Sequence, residues 1–457
     1  MDKFSSLFAD YTKNVSFEKI SSEVIHEVKR RIIDSVGVAV AAYPEQAPEI
    51  ARKMGYDFKL SNGAIVIGTP VKTMPGLAAF INGLHVRYLD FSDTYLSLEP
   101  IHPSDVIMPL LALAEYNKNN GRDLVTSIAT AYEVVVSLCD SGSLRKNGWD
   151  HVNFIAIGVV LGASKLLNMN VQNTKNAIAL TVVPHAAMRQ TRAGELSMWK
   201  GAAASNASKN AIFSSLLAEK GFTGPSRPFE GEMGFNKLLL KDSIHMEGLR
   251  TISEKRPPER IMDTYIKFWP VEYHAQSAVE AAVNLKENLN IEKMEELTID
   301  TFDVSYEILA KDPEKWQPKT RETADHSLPY ITLVALLDGK VTKESFSKER
   351  LNDKKTMNFL KNNVKLNSCE DLSKLYPDGI PNRIIVRTKD GKVFSEEVRY
   401  PKGHAKNPMT DSEVEEKFRS NVKNMIDKNR INEMLNILWN IEKLEDFESL
   451  FNLLSME

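Results

Sequence analysis

Val24, Val28, Ile32, Val36 and Val40 stand four residues apart in "EVIHEVKRRIIDSVGVAVAA", a spacing that puts them on one face of an α-helix. "AEYNKNNGRDLVTSIATAYEVVVSL" reads as helix, Gly-containing turn, helix. Apolar rows of this kind need partner helices to cover them, so residues 1–260 are expected to form a helical domain. At "SEKRPPERIMD", Pro257 and Pro258 break any helix and charges crowd the segment, which places a boundary there. Beyond it "ELTIDTFDVSY" alternates like a strand, and "RIIVRTKDGKVFSEEVRY" holds two β-rich runs around Asp390-Gly391, the signal of a type I′ hairpin. Helical patterns from Ala275 to Leu289 and from Ser345 to Val364 alternate with these strands. Residues 261–400 are therefore expected as a smaller α+β domain. The helical period then returns, with Thr410 and Asp411 as caps, so residues 401–457 are expected to rejoin the helical domain. The fold class is mainly α.

A chain of 457 residues exceeds one ordinary core and has room for two or three domains. Its formal charge of -3, with both signs interspersed, offers no basic field for nucleic acid. The apolar stretches from Val36 to Ala42 and from Ile155 to Ala163 fall short of the roughly 20 residues that span a bilayer. "MDKFSSLFADY" lacks the parts of a secretory signal, so a cytoplasmic protein with no membrane partner is expected. Two distant cysteines, Cys139 and Cys369, fit a reducing compartment and are too few for an iron-sulfur cluster held by this chain. The phosphate-loop, nucleophile-elbow and dinucleotide fingerprints are missing, as are the H-E-x-x-H and C-x-x-C zinc spacings. No metal and no cofactor are expected. The glycines of "KGFTGPSRPFEGEMGF" suit either an anion cradle or ordinary loop geometry.

Three polar clusters remain. "YLDFSDTYLSLEPIHPSD" gathers Asp90, Asp93, His102 and Asp105 before the apolar run "VIMPLLALAEY", with Pro103 placed to open a helix and His102 at its mouth. A helix N-terminus disfavours an imidazolium, so His102 there is a neutral proton acceptor; caps and turns explain the carboxylates equally well. "MRQTRAGELSMWKGAAASNASK" offers Arg189, Arg192 and Lys200, the last beside a run of small residues. "YIKFWPVEYHAQSAVEAA" places Lys267 before an aromatic-proline step and puts Glu272 and His274 at another helix start. A scaffold of helices with polar caps is the non-enzymatic alternative; three clusters of cation, carboxylate and imidazole at helix starts disfavour it.

These stretches, with "ETADHSLPYITLVALLDGKVT" and "YPKGHAKNPMT", resemble in order the MmgE/PrpD family, and most of all its 2-methylcitrate dehydratases. The resemblance implies a large helical domain, a smaller α+β lid, a homodimer and chemistry on a tricarboxylate at carbon next to a carboxylate. It carries the decarboxylase site of the family onto Asp90, Thr94, His102, Lys200 and Lys267, with Glu272 where that pattern has histidine. A further departure is Pro100-Ile101 where many dehydratases show Trp-Gly. The expected activity is cluster-free dehydration of 2-methylcitrate or citrate, the alternatives being cis-aconitate decarboxylation and iminodisuccinate epimerisation. His102 is expected as base, Asp90 as its orienting group, and Lys200 and Lys267 as cations for the developing charge. Glu272 or His274 is expected to assist the leaving hydroxyl, Glu272 through a pKa raised by burial. Thr94, Arg189 and Arg192 are expected to contact substrate.

Overall fold

A computed structural model describes residues 2–456, and the chain divides into two compact units. The first takes the chain as far as Thr191, then Gly201–Thr264 and the stretch from Thr410 onward. The second holds Arg192–Lys200 and Tyr265–Met409. Lys200, expected with the helical part, thus groups with the α+β part, where its ammonium lies 3.4 Å from a carboxylate oxygen of Asp325.

The first unit is helical because its apolar rows find partners. Ser21 caps the helix Ser22–Ala41 by accepting the Val24 N–H, and the row from Val24 to Val40 is buried along its length. Gly37, next to that row, lets the helix Asp411–Val422 lie close, since a Cβ there would come within 2.9 Å of the Phe418 ring. Gly158 plays the same part between Val152–Leu166 and Gly121–Ser141, where a Cβ would meet Val135 at 2.3 Å. Asn120 opens Gly121–Ser141 with a capping box shared with Asp123, and Thr410 opens Asp411–Val422 with another shared with Glu413. Among the described residues one helix, Gly121–Ser141, is long and apolar enough to cross a membrane, and 94% of its apolar window is buried within the protein.

The second unit is α+β. Its four-stranded sheet runs Val364–Ser368, Met294–Thr301, Asn382–Thr388, Val393–Val398, the first pair parallel and the others antiparallel. Leu297, Ile299, Ile384 and Val386 share one core with Ala278, Val279 and Ala282 of the helix Gln276–Lys286 and with Ile331, Val334 and Ala335 of the helix Leu328–Asp338.

Two local expectations change. The helix expected from Ser345 to Val364 is broken, because Ser347 and Asp353 inside it each cap a new helix, Lys348–Leu351 and Lys354–Asn363, and Val364 already begins a strand. The hairpin around Asp390-Gly391 is not type I′: Gly391 alone adopts positive φ, 78°, and its N–H donates to the Thr388 carbonyl, so a three-residue loop joins the strands.

Candidate active site

In the first unit the helix Pro75–Tyr88 ends two residues before Asp90, which takes the left-handed conformation at φ 52°. Glycine or asparagine usually fills such a position, and a residue with a Cβ is strained there by about 1 kcal/mol or more. The compensation is visible. Arg87, one helical turn earlier and fully buried, places Nη1 2.5 Å from Asp90 Oδ1, and its Nε lies 4.0 Å from Asp105 Oδ2.

His102 stands at the N-cap of the 3-10 turn Pro103–Val106, which runs into the helix Ile107–Tyr116, with Pro103 in the first turn as expected. Its Nδ1 lies 2.9 Å from the carbonyl oxygen of Asp93. A carbonyl can only accept, so in the neutral ring Nδ1 carries the proton and Nε2 holds the lone pair. Asp90 Oδ1 lies 3.9 Å from that Nε2, too far for a direct hydrogen bond but near enough to stabilise positive charge arriving on the ring. Thr94, expected at the substrate, donates its hydroxyl to the Ile101 carbonyl and sits 3.3 Å from His102 Nδ1, so it ties the turn that carries the imidazole. The Asp93 carboxylate caps the same turn by accepting the Ser104 N–H and also accepts the Tyr132 hydroxyl. Burial pushes its pKa up, while Arg31, Ser104 and Tyr132 all act to lower it.

The second unit gathers three buried ammonium groups, Lys200, Lys267 and Lys315. Asp325, also buried, stands with Lys200 and accepts His326 Nδ1 at 2.6 Å. Lys315 is drawn below the usual lysine range by burial, against the pull of Asp325 and with the push of Lys200. Glu272 caps the short turn Tyr273–Ala275, accepting the His274 N–H at 2.7 Å and His274 Nδ1 at 2.8 Å, and its own N–H donates to the Asp325 carbonyl. The expected rise in its pKa does not occur. Burial does act upward, but His274, His326 and Lys267 outweigh it and bring the group down to about 2. Glu272 is thus a fixed anion, not an acid in waiting. His274 is buried against the Phe302 and Tyr376 rings and spends Nδ1 on Glu272.

Arg189 and Arg192 bound one 3-10 turn and are both partly buried; the first groups with the helical unit, where its N–H donates to the Gly148 carbonyl, and the second with the α+β unit. The glycine-rich loop meets ordinary loop demands: a Cβ on Gly234 would lie 2.6 Å from the Phe229 carbonyl oxygen, and one on Gly231 the same distance from that of Arg227. Both cysteines are free.

Four residues of these clusters escape the sequence reading: Arg87, Lys315, Asp325 and His326. Two left a signal. "DHSLPYITLVALL" repeats the grammar of "HPSDVIMPLLALAEY", an imidazole and a carboxylate beside a serine and a proline ahead of an apolar helix. Arg87 is a charge inside a buried run, three residues before its carboxylate. Nothing local marks Lys315.

Relatives align along most of the chain. Human cis-aconitate decarboxylase is 26% identical, covering 98% of this chain and 93% of its own length. The 2-methylcitrate dehydratase of Salmonella typhimurium is 28% identical over 87% of this chain and 85% of its own, and the mitochondrial one of Yarrowia lipolytica 28% over 88% and 80%. Family models of the MmgE/PrpD N-terminal and C-terminal domains match residues 6–247 and 269–442. With both family domains present in order over most of its length, this chain belongs to the MmgE/PrpD family, whose dehydratases and decarboxylases make a lyase of it.

Proposed function

We propose that the chain is a hydro-lyase that reversibly removes water from a β-hydroxy tricarboxylate, 2-methylcitrate or citrate. One observation carries the choice of dehydration over decarboxylation: two imidazoles are held in opposite ways, His102 by a peptide carbonyl and His326 by a carboxylate. Elimination needs a base and an acid together, and groups whose surroundings push their protonation apart supply that pair. Loss of CO₂ needs only a proton for the carbanion that remains.

In this reading Nε2 of His102 takes the proton from carbon next to a carboxylate. That C–H is very weakly acidic, and Lys200, Lys267 and Lys315 stabilise the second charge that develops on the carboxylate, more strongly than they would in water. The C–O bond then breaks. The departing hydroxide takes a proton from the imidazolium of His326, which Asp325 favours, leaving alkene and water. Glu272, ionised and held by His274, serves as counter-ion to the lysines and donates no proton. Arg189 and Arg192 remain proposed contacts for substrate carboxylates.

Purified protein incubated separately with 2-methylcitrate, citrate and cis-aconitate tests the reading by alkene absorbance and by trapped CO₂. Alkene formed from a hydroxy acid, with hydration in the reverse direction and no CO₂, is the expected result. Release of CO₂ from cis-aconitate as the main reaction overturns it in favour of decarboxylation, the activity named for the human relative.

A further inference from the structure

Behind His102 the first unit holds a buried charged network that the reaction as described does not use. Arg31 and Asp34 lie one turn apart on the helix Ser22–Ala41, and both are buried. Arg31 donates to the hydroxyl and the carbonyl of Thr264, pairs with Glu27, and brings Nε to 3.6 Å from Asp93 Oδ2. Asp34 pairs at 2.6 Å with Lys417 of the helix Asp411–Val422, more than three hundred residues away in sequence. The Lys417 ammonium also donates to the carbonyl of Phe91 at 2.8 Å and lies 3.9 Å from the centre of the Phe91 ring.

Phe91 stands between Asp90 and Asp93, so the network grips the loop at two points. Lys417 fixes the peptide after Phe91. Arg31, Tyr132 and the Ser104 N–H fix the side chain of Asp93, whose own carbonyl accepts the His102 ring N–H. Two hydrogen bonds and the Arg31 charge 3.6 Å away leave this carboxylate little freedom to turn, and the carbonyl on the same residue is held with it. We infer that Asp93 and Lys417 are positioning residues that set the tautomer and the aim of His102, so that a residue near the C-terminus completes the base. This inference rests on His102 as the base of the proposed dehydration.

The first test needs no substrate. With ¹⁵N-labelled histidine, the His102 signals, picked out from the nine histidines by their loss in His102→Gln, are expected to show the Nδ1–H tautomer. A wild-type ring protonated on Nε2 alone overturns the inference. Asp93→Asn sets an amide N–H either against the Ser104 N–H at the Oδ1 place or toward Tyr132 and Arg31 at the Oδ2 place; the expected results are a shift toward the Nε2–H tautomer and a fall in kcat of roughly tenfold or more with KM within about twofold. An unchanged tautomer and kcat in folded Asp93→Asn overturns the role of Asp93. Lys417→Met is expected to lower kcat in the same way, and Lys417→Arg, which keeps the charge and the donors, to restore most of it. Equal activity in Lys417→Met and wild type, or equal loss in both variants with His102 signals unchanged, removes Lys417 from the machinery. Because the tautomer is read without substrate, an Nδ1–H ring in a protein that dehydrates nothing refutes the proposed function and leaves the positioning of His102 standing.

Discussion

His102 and His326 occupy matching places in their local sequences, each just ahead of a proline-containing first turn and a largely apolar helix. Their partners differ. The first ring donates to a peptide carbonyl and keeps a lone pair on the other nitrogen; the second is bound by Asp325, which stands against Lys200 as well. A neutral acceptor leaves an imidazole ready to take a proton, whereas a carboxylate holds one on it. Identical residue types at similar helix starts can therefore be given opposite tasks, and the choice lies in the one atom that meets Nδ1.

The comparison breaks most readily at His102. His102→Gln is expected to lower kcat by about 10²- to 10⁴-fold with little change in KM, the usual loss on removing a general base. It should also abolish exchange of the substrate C–H with deuterium oxide, followed by NMR. His326→Gln should slow dehydration while exchange continues, since proton abstraction precedes the step that needs an acid. Loss of exchange in both variants would erase the distinction.

Next in size is Lys267→Met, which removes a buried cation from the second cluster. A fall of about 10²- to 10³-fold in kcat is expected, comparable with the loss of one charge-stabilising donor. Steady-state rates with 2-methylcitrate check this, and a change confined to KM would make Lys267 a uniform binding group.

Glu272→Gln probes the fixed anion of the second unit. A folded pKa of about 2 against an ordinary 4.5 means that ionised Glu272 stabilises the fold fully above pH 4.5 and loses that contribution as the pH falls through about 2. The variant should be less stable at neutral pH by about 3 kcal/mol, with the gap closing toward pH 2, in urea titrations followed by fluorescence of Trp269 and Trp316. A gap independent of pH would show that the carboxylate does not draw its stability from charge.

Smallest is Thr410→Ala. Loss of the capping box at the head of the helix Asp411–Val422 is expected to cost about 1 kcal/mol, seen as a lowered unfolding midpoint. The second cluster should be untouched, so the stability gap between Glu272→Gln and its parent should be the same with or without the cap.

Much of the architecture could be read from residue order. Rows such as Val24 to Val40 have one way to be buried, the double proline stops a helix, and alternation around Ile299 and Ile384 suits a strand covered on one face. Helix ends inside polar stretches were harder: Ser347 and Asp353 act as caps only because their side chains turn back to the backbone, and serine or aspartate in sequence says little about that. The placing of His102 ahead of a helix was likewise legible, through Pro103.

Protonation was not. By itself the sequence determined which residue types cluster near helix starts, and so that cations, carboxylates and imidazoles would be available together. Only the tertiary structure decided that Glu272 is an anion, that His102 donates to a carbonyl, that Lys200 stands with Asp325, and that Lys417 reaches Phe91 from the far end of the chain. The reason is physical. Helix and strand periods arise from neighbours a few residues away, but the charge of a buried group depends on desolvation and on partners within a few ångströms, whatever their distance along the chain.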